Sequence, residues 1–252
     1  MSQPLALQLY SLRDQLAQDF DGTLRQVAAL GYAGVELAGI YGRSPVQARR
    51  LLDDLGLQVA GAHLPLPLGP DKNQVIETAQ ALGCTRITCG WLPAERFNTA
   101  EDLRAVGADL NAASAAARAH GLTQGYHNHW FEHDHLVDGR TPHEWLVELA
   151  APEVFFEVDV YWVKTAGRDP AGVISALGTR APLLHIKDGP AQPGQPMTAV
   201  GSGTLDFAPI IAAGAHAEWL VVELDACATD MFTAVADSYR YLTAQGWGHG
   251  KN

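Results

Sequence analysis

Short apolar runs of strand length recur eight times along this chain, and that recurrence limits the folds open to it more than any other feature. They are LALQLY from Leu5, GVEL from Gly34, QVAGAHL from Gln58 and RITCG from Arg86, then LTQGYHNH from Leu122, VFFEVDV from Val154, LLHIKDG from Leu183 and WLVVELD from Trp219. Each is rich in Val, Ile, Leu or aromatic residues and is bounded by Gly, Pro or polar turns, as strands are. Segments with helical spacing lie between them. Thr23 to Leu30 carries Leu24, Val27, Ala28 and Leu30 on a partial apolar face and stops at Gly31, a suitable C-cap. Pro45 opens the next helix and Gly56 ends it; Pro142 opens another, HEWLVELA. The Asp102 to His120 stretch is Ala-rich and stops at Gly121, and Thr229 to Gln245 places Met231, Val235, Tyr239 and Leu242 at roughly helical intervals.

Strands that alternate with helices pair in parallel through right-handed crossovers. Eight such units in 252 residues match the size of a (β/α)8 TIM barrel. The alternative, an open doubly wound sheet, usually carries a glycine-rich phosphate loop after an early strand. Here the first such loop, SLRDQLAQDF, has no glycine before Gly22. The expected fold is therefore α/β, a single-domain barrel over residues 1–252. The Pro-rich stretches LPLPLGP and GPAQPGQP read as βα loops and not as interdomain linkers.

Composition narrows the function. The chain is 47% hydrophobic and 18% charged, its apolar runs are too short for a transmembrane helix, and MSQPLALQLYSLRD lacks the pattern of a signal peptide. A cytoplasmic location with no membrane association is the expectation. Cys84, Cys89 and Cys227 form no CxxC pair and read as reduced thiols. A net charge of −11, with no basic run longer than Arg49-Arg50, argues against nucleic acid as a partner. A small neutral or locally steered substrate suits the chain better.

In a barrel of this kind the active site lies at the C-terminal mouth of the strands, which gathers scattered polar residues into one ring. Gln8 and Tyr10 close the first run, Glu36 the second, His63 the third, and Trp91 follows the fourth. His127, Asn128 and His129 close the fifth, Asp159 the sixth, His185 and Lys187 the seventh, Glu223 and Asp225 the eighth. Alternate residues of a strand share a face, so His127 goes with His129, Glu157 with Asp159, His185 with Lys187 and Glu223 with Asp225. Charged groups near a core are costly unless compensated. His127, Asp159, His185 and Glu223 suit one divalent metal ion (Mn, Co, Zn or Mg) as the compensating charge. Singly, each of these residues also has the plainer role of anchoring a loop.

QLYSLRD, GYAGVEL, HLP, YHNHWFE, EVDVYW, HIKD, VGSGTLDF and VVELD occur in that order. Together they resemble the sugar phosphate isomerase/epimerase family with the xylose isomerase-like barrel, over nearly the whole chain. The resemblance implies one divalent metal held by Glu, Asp, His and Glu at the ends of strands five to eight, the last three falling on Asp159, His185 and Glu223. Counting back from Asp159 by a family-like interval reaches His127, so histidine replaces the usual glutamate; Glu132 is the competing ligand. Trp162 stands where the family's ketose 3-epimerases carry a substrate-binding histidine. Both departures turn the expectation away from a two-glutamate epimerase and toward inosose dehydratase-like and keto-sugar-processing members. Barrels of this type frequently pair, so a homodimer is among the expected states.

The expected chemistry is proton abstraction next to a carbonyl, with an enediolate stabilised by the metal as Lewis acid. Returning the proton makes the chain a metal-dependent isomerase or epimerase of a sugar or keto-sugar. Expelling a β-substituent makes it a dehydratase or lyase of a keto-inositol or 3-keto-sugar; a non-catalytic polyol-binding barrel is the remaining class. Glu223 is the candidate base, Lys187 a substrate hydrogen-bond or proton donor whose alternative is a salt bridge to Glu157 or Asp159, and Glu132 a further candidate for base or hydrogen-bonding work whose alternative is a loop-stabilising pair with His129. Tyr10, Glu36, His63, Trp91, His129 and Trp162 are the expected substrate-binding residues.

Overall fold

The structure, a computed structural model, describes residues 2–251; the terminal residues Met1 and Asn252 of the expected 1–252 domain lie outside the described residues. Eight strands appear at the expected places: β1 (Gln3–Gln8), β2 (Gly34–Leu37), β3 (Gln58–His63), β4 (Arg86–Cys89), β5 (Thr123–His127), β6 (Phe155–Asp159), β7 (Leu183–Ile186) and β8 (Trp219–Val222). Each pairs in parallel with the next, and β1 pairs with both β2 and β8, which closes the barrel. A two-residue strand, β9 (Gly248–His249), adds to the start of β1.

The helices between the strands are α1 (Arg13–Gln18), α2 (Phe20–Leu30), α3 (Pro45–Asp54), α4 (Lys72–Ala81), α5 (Ala100–Arg118), α6 (Pro142–Leu149), α7 (Val160–Thr165), α8 (Pro170–Leu177), α9 (Phe207–Ala213) and α10 (Met231–Ala244). Local chemistry sets their ends. Ser44 with Gln47 and Thr141 with Glu144 form reciprocal capping boxes ahead of Pro45 and Pro142, and a lost N-cap of this kind costs about 1 kcal/mol. Gly31 ends α2 at φ 105°, a left-handed conformation that favours glycine. Among the described residues no helix is long and apolar enough to cross a membrane.

Inside the barrel, side chains lie in layers. Ala6, Ala60, Phe155, Leu183, Trp219 and Val221 form a buried apolar floor. Phe155 crosses to Gly125, where any Cβ would run into its ring, and Trp219 reaches Gly34, where a Cβ would stand 3.0 Å from the indole. Two residues further along the same strands the chemistry changes from apolar to charged: Phe155 gives way to Glu157 and Asp159, Leu183 to His185 and Lys187, Val221 to Glu223. The second, larger core packs the outer barrel face against the helices. A rigid apolar base thus holds up a polar mouth.

Candidate active site

Strand register sets which side chains meet at the mouth. His127 pairs with Glu157 across β5–β6, and Asp159 with His185 across β6–β7. His127 lies with its Nε2 3.7 Å from Asp159 Oδ2 and its Nδ1 3.3 Å from Glu157 Oε2. His185 is likewise shared: Nδ1 is 2.8 Å from Glu223 Oε2, while Nε2 is 2.6 Å from Glu36 Oε2 and 3.3 Å from Glu157 Oε2. The two imidazoles therefore stand between an outer pair of carboxylates, Asp159 and Glu223, and an inner pair, Glu36 and Glu157.

Ligand atoms from His127, Asp159, His185 and Glu223 all lie within 4.8 Å of one another, and so do those of His63, His127, Glu157 and His185. The outer group is the better seat for an ion. Asp159 Oδ2 is buried and faces the Lys187 ammonium at 2.9 Å, left clear of the backbone because the other oxygen, Oδ1, accepts from the Tyr161 and Trp162 amides at the start of α7. Charge points the same way. Five carboxylates (Glu36, Glu157, Asp159, Glu223, Asp225) meet three cationic groups (His63, His185, Lys187). Even with Glu36, whose burial favours the protonated form, left out of the count, carboxylates outnumber cations, and a divalent cation would offset the surplus. A mixed imidazole and carboxylate set suits Mn, Co or Zn.

Proton affinities follow from these contacts. Burial pushes Glu36 up to about 7, and the Glu157 charge adds to the effect. Burial raises Glu157 and Glu223 too, but His185 and His63 hold Glu157, and Lys187 and His185 hold Glu223, well below the usual carboxylate range. For His185 burial is outweighed by Glu157, Glu223 and Glu36, which raise it well above an ordinary imidazole. Burial and the neighbouring His185 push His127 well below. Neutral His127 and charged His185 are the states the contacts favour.

Lys187 is 1% exposed and faces three carboxylates. Its Nζ lies 2.9 Å from Asp159 Oδ2, 2.6 Å from Glu223 Oε2 and 2.9 Å from Asp225 Oδ2. The ion pair expected from the sequence thus exists with Asp159, but Glu157 is not part of it.

A cavity of about 670 Å³ opens above this cluster, lined by Tyr10, His63, Trp91, His127, His129, Glu223 and Asp225 together with apolar Leu64, Pro65, Leu66 and Leu92. Tyr10 and Trp91 are 42% and 60% exposed, so they form its rim and are not core. His63 sits on Gly90, where a Cβ would run into its ring, and bonds Glu157 at 2.7 Å. Glu36 lies deeper, fully buried, and accepts from Gln8 Nε2 at 2.7 Å.

Besides Glu36, an expected substrate-binding residue buried beneath the cavity, two expected site residues stand elsewhere. Glu132 is fully buried, accepts from the Tyr126 hydroxyl at 2.5 Å and from the His129 amide at 2.8 Å, and belongs to neither metal-capable group. The WFE turn folds inward against Tyr126 and not toward the barrel axis, so the carboxylate fixes the β5 loop. Trp162 does not line the cavity; its ring packs on Trp130 at 4.9 Å and lies 5.5 Å from Lys187 Nζ. Gln8, Glu157 and Asp225, which the sequence puts at the mouth without a site role, belong to the cluster. The period of two along β6 and beyond β8 was the signal for the last two.

Asp188, the acid of HIKD, holds the following loop. Its carboxylate accepts from the amides of Gly189, Gly201, Gly203 and Leu205, at 2.8 to 3.2 Å. This ties HIKD to GSGTL and explains why the two motifs occur together.

A closed parallel barrel whose mouth gathers imidazoles and carboxylates around a cavity defines a class of metal-capable TIM barrels. The model of the xylose isomerase-like TIM barrel family matches residues 24–226, and the chain belongs to that family. No curated protein matches it. Among solved structures it is similar to a sugar phosphate isomerase/epimerase from Parabacteroides distasonis, at 25% identity and TM-score 0.84, covering 98% of this chain and 96% of that one. An L-ribulose 3-epimerase (17% identity, TM-score 0.72, 98% and 95% covered) shares the fold. So does a probable 3-DHS dehydratase of petrobactin synthesis from Bacillus anthracis (15%, TM-score 0.72, 95% and 98%).

Proposed function

We propose that this protein is a divalent-metal-dependent isomerase or epimerase of a sugar or keto-sugar. One observation carries the reading: His127, Asp159, His185 and Glu223 present ligand atoms within 4.8 Å of one another, and two of them, His127 and Glu223, also line the cavity. A divalent ion held by these four would supply Lewis acidity, drawing charge from a carbonyl oxygen as the neighbouring carbon loses its proton.

The chain's own residues do the rest. Glu223, at the wall of the cavity, takes the proton, and Lys187 beside it supplies a charged donor to a substrate oxygen. Glu36 accepts from the inner nitrogen of His185, which turns the outer nitrogen toward Glu223, and Glu157 lies 3.3 Å from the inner nitrogen of His127; partners of this kind orient metal-binding imidazoles. Tyr10 and Trp91 offer flat faces to the C–H side of a sugar ring. His63 and His129 are placed to hydrogen-bond its hydroxyls, while Glu132 positions His129 through its backbone.

A second reading, a dehydratase or lyase of a keto-inositol or 3-keto-sugar, is favoured by the asymmetry of the pair. Buried His127 stands where a two-glutamate epimerase needs a carboxylate, and the Lys187 ammonium is a natural acid for a departing hydroxyl. Incubation of the Mn-loaded protein with keto-sugars in D2O, followed by proton NMR and ultraviolet absorbance, separates the two. An isomeric product labelled next to the carbonyl supports the first reading, and an unsaturated or diketone product supports the second. Absence of both exchange and metal binding would leave only a polyol-binding barrel.

A further inference from the structure

We propose that Lys187 is an internal competitor of the metal ion, a resident counter-cation that holds Asp159 and Glu223 in the ion-free protein and withdraws onto Asp225 when the ion binds. The proposal rests on the metal reading given above and adds to it what holds the site together before the ion arrives.

The geometry points to competition because the same two oxygens serve both cations. Asp159 Oδ2 and Glu223 Oε2 lie 2.9 and 2.6 Å from Nζ, and both residues belong to the four that present ligand atoms to a shared point. An ammonium and a divalent ion cannot approach one pair of oxygens together without strong mutual repulsion. A buried lysine is tolerated only where its charge is paired, and Lys187, 1% exposed, has no neutral alternative among the groups that face it. Those groups are Asp159 on β6, Glu223 and Asp225 beyond β8, and the Trp162 ring on α7.

A route outward exists. Lys187 follows β7 and is outside its ladder, and its four-carbon stem is flexible. Asp225, already 2.9 Å from Nζ, has a side chain 34% exposed and lines the cavity. A shift that keeps this one contact and gives up the other two frees the ligand oxygens and carries the ammonium to the cavity wall. Without such a counter-cation, His185 would be left to offset the buried charge of both Asp159 and Glu223 in the ion-free protein.

The test is titration of the whole chain, stripped with EDTA and dialysed, with MnCl2 by calorimetry, together with thermal unfolding in EDTA and in excess Mn²⁺. Lys187→Met should bind Mn²⁺ at least about tenfold more tightly than wild type, melt lower in EDTA, and recover its melting temperature in Mn²⁺. Lys187→Gln, with a polar side chain of similar length, should shift affinity in the same direction and serves if the Met variant fails to fold. Arg13→Met removes a cation that bonds the Asp225 carbonyl but touches neither ligand, and should change affinity by less than about threefold. Binding by the Lys187 variants that is equal to or weaker than wild type overturns the competition while leaving the metal site intact. An equal gain in Arg13→Met also overturns it, in favour of general charge. No Mn²⁺ binding by any of the proteins overturns the metal reading itself, and the competition with it.

Discussion

His185 Nε2 lies 2.6 Å from Glu36 Oε2, one layer beneath the mouth of the barrel. The contact decides which way the imidazole works. With Nε2–H donated inward to Glu36, the other nitrogen is the one turned to Glu223 and the outer group. Glu36 is itself held by Gln8 and by the gap at Gly61, where a Cβ would stand 2.8 Å from Glu36 Oε1.

Glu36→Gln is therefore expected to keep the fold and to lower Mn²⁺ affinity by about 10- to 100-fold, the usual cost of losing a partner behind a metal-binding histidine. Calorimetric titration of the variant beside wild type checks it. Unchanged affinity would mean that Glu36 does not orient His185.

Asp188 gathers four backbone amides of the loop that follows β7. Asp188→Ala leaves these donors without their acceptor, and each donor stranded from solvent costs on the order of 1–3 kcal/mol. The expected result is a loss of at least about 2 kcal/mol in urea unfolding. It should be accompanied by faster amide exchange from residue 189 to residue 205, read by hydrogen-exchange mass spectrometry. Protection equal to wild type in that loop would contradict the assignment.

Acid should destabilise the fold through a second pair of histidines, away from the mouth. His133 and His143 stack at 4.5 Å and are buried. Burial pushes His143 down to about 4, and burial together with His143 pushes His133 well below an ordinary imidazole. Because the unfolded chain binds these protons more readily, the stability they allow is complete above about pH 6.5 and is lost as pH falls toward 4. Linkage gives a loss of roughly 2 kcal/mol by about pH 5 from His143 alone. His143→Phe should show a correspondingly flatter acid limb when urea unfolding is compared at about pH 7.5 and about pH 5. An identical pH dependence in the two proteins would contradict the assignment.

Most of the architecture was legible because a (β/α)8 barrel repeats one local pattern. The runs beginning at Leu5, Gly34 and Gln58 and their five successors needed only apolar content and bounding turns to be placed, and all eight became strands. Helices α1, α4, α7, α8 and α9 are not separable from their loops in the sequence, since each is short or has Pro and Gly close by. At the mouth, His127, Asp159, His185 and Glu223 could be picked out as strand ends. Glu132 could not be placed the same way. It lies beyond β5, where no strand period governs direction, and its partner, the Tyr126 hydroxyl, is on the opposite face of β5 from His127. Trp162 follows the same rule: it belongs to α7, whose start is set by the Asp159 cap. The inner pair, Glu36 and Glu157, emerges only when β2 and β6 are brought across the closed barrel to the same imidazole.

Asp159 offers the most direct test of the account, because its two oxygens have separate tasks. Oδ1 caps α7, and Oδ2 faces the Lys187 ammonium and the proposed ion site. Asparagine keeps an acceptor for the cap and removes the charge. The decisive measurement is the stoichiometry and affinity of Mn²⁺ binding to wild type and to Asp159→Asn, by calorimetry on proteins shown by thermal unfolding to be folded. The account predicts one ion per wild-type chain and a loss of more than about 100-fold in the variant, beyond the cost of losing an outer partner. Wild type that binds no ion, or a variant that binds as tightly, would contradict it.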